Sequence, residues 1–93
     1  MSNNLQKNSN KNSGEYITLD KAELNVPYVI ISCNLDKRLQ ERFAELGFVE
    51  GAEIKVIKAA PLRDPLEVKV MGYSLCARAK ELKHFTVARL NDE

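Results

Sequence analysis

The side chains that could act as a nucleophile, a base or a soft metal ligand are few. The chain contains one histidine, His84, and two cysteines, Cys33 and Cys76. A hydrolytic triad needs a base held beside a nucleophile, and a structural zinc site needs ligands at close, paired spacings. The two cysteines are far apart in the sequence, and His84 opens an apolar run that is typical of a strand. We interpret all three as structural residues, so the sequence predicts no catalytic and no metal-binding residues.

Other classes of chemistry are also disfavoured. Neither the GxxxxGK[ST] nor the GxGxxG pattern occurs, so the chain lacks the glycine-rich loops that hold nucleotide phosphates. A net charge of +1 is too balanced for a typical nucleic-acid-binding domain. There is no tryptophan, and three tyrosines are few for a groove that reads proline-rich peptides. The sequence thus predicts a protein that is not an enzyme, has no cofactor and binds no nucleic acid.

The chain reads as one small cytoplasmic domain preceded by a tail. Residues 1–14 are rich in Asn, Ser and Lys and contain one large apolar side chain, so we expect them to be disordered. Residues 15–93 then form the folded domain. No stretch approaches the 18 apolar residues of a membrane span, and no apolar segment opens the chain. With only two cysteines, we expect reduced thiols that behave as small buried apolar residues.

The most informative segment is 46–65, which contains two glycines, a short alternating run and two prolines. Gly47 can adopt the left-handed conformation that ends a helix, and Gly51 can adopt the positive φ of a turn. Residues 53–56 alternate between polar and apolar as a strand does, and Ala60-Pro61 with Asp64-Pro65 predicts a second turn. These corners, placed close together, are typical of a small β-barrel.

One helix and about five strands complete the predicted fold. The helix spans residues 36–46, capped by Asn34 or Asp36, and its charged faces mix both signs. Residues 28–33 read as a strand buried on both faces, residues 66–71, 75–78 and 84–90 read as further strands, and 79–83 as one helical turn at most. We predict a mainly β protein, a small closed barrel with one inserted helix, since closure removes exposed edges. Its predicted core comprises Val29, Ile31, Leu39, Phe43, Leu46, Ile54, Val56, Val68, Val70, Leu75, Phe85 and Val87.

The order and spacing of these features resemble the FeoA family of ferrous iron transport accessory proteins. The resemblance covers about residues 17–87 and rests on Leu46-Gly47-Phe48, Gly51, Ala60-Pro61, Asp64-Pro65, Gly72, Leu75, Arg78 and Glu81. Two departures concern turns: Arg63 stands where a glycine often precedes Asp-Pro, and Asn25-Val26 replaces a glycine. The resemblance implies an SH3-like barrel, a fold that also forms a C-terminal domain in iron- and manganese-dependent repressors.

The resemblance also implies a partner. It points to a small cytosolic protein that supports Fe(II) uptake by contacting FeoB, the large membrane transporter with an N-terminal GTPase domain. The alternatives are a detached regulatory domain of the repressor type and a general protein-interaction module. Weak self-association also stays open. Because side chains at turn tips stand clear of a barrel core, we expect the partner-binding residues among Phe48, Leu62, Arg63, Met71 and Tyr73.

Overall fold

The structure is a computed structural model that describes residues 15–90, so the predicted disordered tail at residues 1–14 lies outside the described residues. Two helices and two 3-10 turns connect the strands: α1 (Lys37–Glu45), α2 (Ala79–Leu82) and the turns Leu19–Lys21 and Pro61–Arg63. The six strands are β1 (Tyr16–Thr18), β2 (Pro27–Cys33), β3 (Glu53–Ala59), β4 (Leu66–Val70), β5 (Tyr73–Ala77) and β6 (Phe85–Arg89).

All six strands form one antiparallel sheet in the order β1-β6-β2-β3-β4-β5. The mainly β fold is therefore confirmed, with α1 as the one inserted helix and the four-residue α2 as the single helical turn expected at residues 79–83. The prediction that the sheet closes is wrong, because within residues 15–90 the outer strands β1 and β5 are not hydrogen-bonded to each other. The sheet wraps around a single core all the same, since buried side chains from β2, β3, β4 and β6 belong to one cluster.

Two β-bulges bend the sheet and set which side chains face the core. In β2, Ile31 is the extra residue between the pairs made by Ile30 and Ser32, and a second bulge interrupts β3 between Val56 and Lys58. A bulge adds one residue to a strand with a period of two, so it reverses the inward face beyond that point. The strand β2 accordingly buries Ile30 before its bulge and packs Cys33 against the core after it.

The predicted inward face of β2 is therefore wrong. Val29 and Ile31, which we expected in the core, are only half-buried, whereas Tyr28 and Ile30 are buried. Leu39 and Leu75 are also half-buried, and Leu46 is exposed. The remaining predicted core residues are confirmed. The core also contains side chains that were not predicted: Leu19, Ala22, Phe48, Leu66, Ala77, Leu82 and Ala88.

Local hydrogen bonds explain why α1 begins and ends where it does. The Asp36 carboxylate accepts a hydrogen bond of 3.0 Å from the Leu39 backbone N–H and so caps the helix start. Gly47 then takes a φ of +102°, as expected for the residue that ends the helix. The Phe48 N–H donates to the Phe43 carbonyl at 3.0 Å, which turns the chain so that Phe48 enters the core.

Three phenylalanines fill the space beneath α1. The ring of Phe43 from the helix meets the rings of Phe48 and Phe85 edge-on, with centroids 5.1 Å and 5.4 Å away, and Phe48 lies 5.3 Å from Phe85. Edge-on and tilted rings at these separations attract one another in addition to their apolar burial. This aromatic cluster fastens the helix and the segment after it to the last strand.

The carboxylate of Asp64 connects the Asp-Pro turn to the start of α2. Asp64 accepts a hydrogen bond of 2.9 Å from the Ala79 N–H and pairs with the Arg78 guanidinium at 3.4 Å. Glu81 in turn accepts from the Arg78 N–H at 3.2 Å. The family resemblance rests partly on Asp64, Arg78 and Glu81. In this structure the contacts of these three residues stabilise the fold.

Candidate functional site

The hairpin that joins β4 to β5 carries an unusual residue in its turn. Val70 and Tyr73 close the hairpin, and the two residues between them, Met71 and Gly72, have φ values of +54° and +84°. Two positive φ angles are required by a type I′ turn, whose first position favours Asn, Asp or Gly. A methionine there is strained, and 74% of its surface is exposed.

Leu46, Met71 and Tyr73 form a contiguous apolar surface, which we call the hairpin patch. A Cβ atom added to Gly47 would lie 2.5 Å from the Met71 sulfur, so the methionine packs directly over the end of α1. The Tyr73 hydroxyl donates a hydrogen bond to the Leu46 carbonyl and joins the hairpin to the same point. Leu46 and Tyr73 remain 37% and 42% exposed. Leu46 therefore belongs to this surface and not to the core in which we had placed it.

Phe48 does not belong to any exposed surface. Its side chain is buried with Phe43 and Phe85, so the expectation that it stands free for a partner is wrong. The physical reason lies in the helix end, because the bond from Phe48 to the Phe43 carbonyl directs the chain inward. The exposed apolar residue of this connection is its neighbour Val49.

Leu62 and Arg63 lie at the other end of β4 from the hairpin patch. The two positions have φ values of +65° and +58°, and the Leu62 side chain is 99% exposed. Arg63 is exposed but not free: its Nη2 donates to the carbonyls of Asp20 at 3.1 Å and Ala22 at 2.8 Å. The candidate partner contacts thus fall into two separate groups, Met71 with Tyr73 and Leu62 with Arg63.

The positive φ of Arg63 leads to a test by substitution. Arg63→Ala and Arg63→Gly both remove the two hydrogen bonds of the guanidinium, but only glycine adopts this φ without strain. We expect Arg63→Ala to be less stable to unfolding than Arg63→Gly by about 1 kcal/mol. Urea unfolding of both variants measures the difference, and equal stability would show that the strain at this position is negligible.

A groove extends from the hairpin patch along β5. It has a volume of about 200 Å³ and runs between α1 and the outer strand of the sheet. Leu39, Phe43 and Leu46 line it on the helix side, and Leu75 lies opposite. Arg42 stands at its margin and forms no ion pair with another residue in the described range. Glu81 also lines the groove, so the surface next to the hairpin patch is a concave apolar strip that carries one positive and one negative side chain.

The histidine and the two cysteines do not form a metal-binding cluster in the described residues. The Nδ1–H of His84 donates a hydrogen bond to the Asn34 amide oxygen at 2.8 Å. Cys33 is half-buried, whereas Cys76 is exposed on β5, so the expectation that both are buried is wrong for Cys76. Among residues 15–90, no three His, Cys, Asp or Glu side chains gather as metal ligands would. Nor does any helix in that range have the length and apolarity to cross a bilayer.

Comparison of the sequence with models of known protein families agrees with this architecture. The FeoA domain matches residues 17–89, which is most of the chain. This chain belongs to the FeoA family. Membership of that family, predicted from the order and spacing of its sequence features, is thereby confirmed.

Solved structures of the family share the fold. The FeoA protein of Chlorobium tepidum is 33% identical, with a TM-score of 0.75 over 83% of this chain and 74% of that one. A FeoA-like protein of Clostridium acetobutylicum is 28% identical, with a TM-score of 0.73 over 84% of this chain and 91% of that one. The zinc-complexed FeoA of Stenotrophomonas maltophilia, described as a prokaryotic SH3 domain protein, gives 0.67 at 29% identity over 76% and 88%. The SH3-like fold is thus confirmed.

Two further likenesses concern larger proteins. A fusion of Fe(2+) transport protein A with the Fe(2+) transporter FeoB from Porphyromonas gingivalis is 40% identical over 42 residues. That match spans 45% of this chain and 5% of the length of the fusion protein. A manganese-dependent transcriptional repressor superposes with a TM-score of 0.72 at 12% identity, over 81% of this chain and 42% of the repressor, which shows a shared fold alone.

Sequence reasoning missed Leu46 as a surface residue and missed the groove beside β5. The sequence contained a signal for Leu46, which directly precedes Gly47, the glycine that ends α1. The groove depends on which strand ends the sheet, and no local pattern carries that information.

Proposed function

We propose that this FeoA protein acts by binding, without catalysis, to the cytosolic part of the ferrous iron transporter FeoB. The observation that carries the proposal is the fusion relative, in which the two functions reside in one polypeptide. Domains that are fused in one organism often associate as separate chains in another.

The repressor-type alternative has weaker support. The repressor that superposes on this chain is 12% identical, a level at which only the fold is shared. A detached regulatory domain would also need a separate DNA-binding domain, because an SH3-like domain provides no recognition helix for the major groove. Association with the transporter rests on higher identity, and we therefore prefer it.

We place the contact at the hairpin patch. Its three side chains adjoin one another, whereas Leu62 stands alone at the opposite end of β4. A strained backbone conformation persists only where the surrounding structure enforces it, and residues in such conformations cluster at functional sites. Met71 combines that strain with a large apolar side chain, and methionine adapts well to irregular partner surfaces. Exposed apolar patches with a charged margin are typical of protein-binding sites.

Two matched substitutions test this placement. Met71 and Leu62 both have positive φ and large exposed side chains, and asparagine tolerates that backbone conformation at both positions. We expect Met71→Asn to weaken binding to the purified cytosolic region of FeoB by at least about tenfold, equivalent to 1.4 kcal/mol. Leu62→Asn should leave the affinity unchanged. Calorimetric titration of both variants and the unaltered protein measures the effect.

The binding measurements distinguish the proposed partner from the proposed contact surface. If the unaltered protein does not bind the cytosolic region of FeoB, the proposed function is wrong. If it binds and only Leu62→Asn weakens the affinity, the partner is correct and the contact lies at the Pro61–Arg63 turn. Thermal melting of each variant serves as the control that both remain folded.

A further inference from the structure

The outer edge of β5 presents backbone hydrogen-bonding groups without a partner. In an antiparallel hairpin closed by a two-residue turn, the closing pair exchanges both hydrogen bonds and the next pair exchanges none. Val70 and Tyr73 are the closing pair here, and the pairing alternates along the strand as far as Ala77. The N–H and C=O groups of Ser74 and Cys76 therefore point away from β4, outward from the sheet.

Nothing in residues 15–90 occupies this edge. The strand β5 pairs only with β4, and none of the loop, cap or side-chain hydrogen bonds of that range uses the backbone of Ser74 or Cys76. The strand is not protected in the ways typical of sheet edges, since it contains neither a proline nor a charged side chain. The free edge of β5 therefore offers two backbone N–H donors and two backbone C=O acceptors.

The edge and the groove form one continuous surface. Leu75, between the two outward-pointing residues, lines the groove together with Leu39 and Leu46 of α1. A peptide that paired with Ser74 and Cys76 would place alternate side chains over this apolar strip, because side chains of a strand alternate between its faces. Arg42 and Glu81 both line the groove and neither forms an ion pair in the described range, so each would meet a side chain of opposite charge on the peptide.

We propose that the free edge of β5 binds an extended segment of the partner as an additional antiparallel or parallel strand. Backbone pairing with Ser74 and Cys76 supplies the hydrogen bonds, and an apolar side chain of the segment enters the groove beside Leu75. Charged side chains of the segment pair with Arg42 and Glu81. The hairpin patch lies at the start of the same strand, so this proposal rests on the proposed contact with FeoB and specifies its form. Strand addition of this kind is a common mode of peptide recognition.

A proline at position 74 tests the backbone contact directly. Ser74→Pro removes the outward N–H without breaking a bond to β4, and proline is tolerated on a sheet edge at such positions. Ser74→Ala is the matched control, because both substitutions remove the 2.9 Å hydrogen bond from the Ser74 hydroxyl to Glu67 and only proline removes the N–H. We expect Ser74→Pro to weaken binding to the FeoB cytosolic region at least tenfold relative to Ser74→Ala.

Amide hydrogen exchange provides a second measurement that needs no substitution. In the complex, the amides of Ser74 and Cys76 should exchange at least tenfold more slowly than in the free protein. Binding by Ser74→Pro and Ser74→Ala with equal affinity, or unchanged exchange at both amides, would overturn strand addition while the contact with FeoB stands. Absence of binding by the unaltered protein would instead refute the proposed function. If the edge amides are protected in the free protein at high concentration only, the edge serves a second copy of this chain.

Discussion

Replacing Phe48 by aspartate is expected to unfold the domain. Phe48 is 3% exposed and lies among Phe43 and Phe85, so the substitution removes a buried ring and places a carboxylate where no partner is available. The loss of apolar burial alone costs about 3–5 kcal/mol, and the buried charge adds to it. Native domains of this size are stable by only about 5–15 kcal/mol, so most of the stability is removed. Circular dichroism and thermal melting measure the result.

Phe48→Leu is the control for this substitution. Leucine keeps the position apolar at a smaller volume, so we expect a folded domain that has lost about 1–2 kcal/mol of stability. A Phe48→Asp protein that melts like the unaltered chain would show that Phe48 is on the surface and that the aromatic cluster does not form. The result also bears on binding studies, because loss of binding by Phe48→Asp would reflect unfolding and not a lost contact.

Truncating Phe43 is the second large effect. Phe43→Ala removes the ring that joins α1 to both other phenylalanines, and the surrounding structure cannot fill the space completely. We expect a loss of about 3–5 kcal/mol in the free energy of unfolding. Denaturant unfolding monitored by helix content and by a core probe should show both signals lost together at a lower midpoint.

Leu46→Ala is the matched comparison on the same helix stripe. Its side chain is 37% exposed, so the substitution should cost about 1 kcal/mol, much less than Phe43→Ala. The reverse ranking would mean that Leu46 belongs to the core after all and that the hairpin patch is incorrectly defined. The two variants therefore test the boundary between core and surface at the end of α1.

Local sequence patterns predicted the helices and strands of this fold better than they predicted which side of each strand faces the core. The helix was predictable because a cap, an apolar stripe and a terminating glycine all agree at Asp36, Phe43 and Gly47. The strand β2 was not, since the run Tyr28–Cys33 is almost wholly apolar and carries no alternation to indicate the inward side. Its bulge at Ile31 then reverses that side within the strand.

The candidate site depended on information that lies outside any local pattern. Phe48 and Met71 are both large apolar residues next to a glycine, yet Phe48 is buried and Met71 is exposed. The end of α1 directs Phe48 inward, whereas the strained turn holds Met71 outward. The edge position of β5 follows from the order of all six strands. Sequence reasoning could place apolar residues at turns, but it could not say which of them share a surface.

The most direct test of the binding account is a residue-resolved titration of this protein with the cytosolic region of FeoB. Isotope-labelled protein would be followed by amide chemical shifts as the partner is added. We expect the largest changes at Leu46, at Met71 and along Tyr73–Ala77, with little change around Leu62. Shifts that remain unchanged at saturating partner, or that are confined to the Pro61–Arg63 turn, would contradict the proposed contact at the hairpin patch and β5.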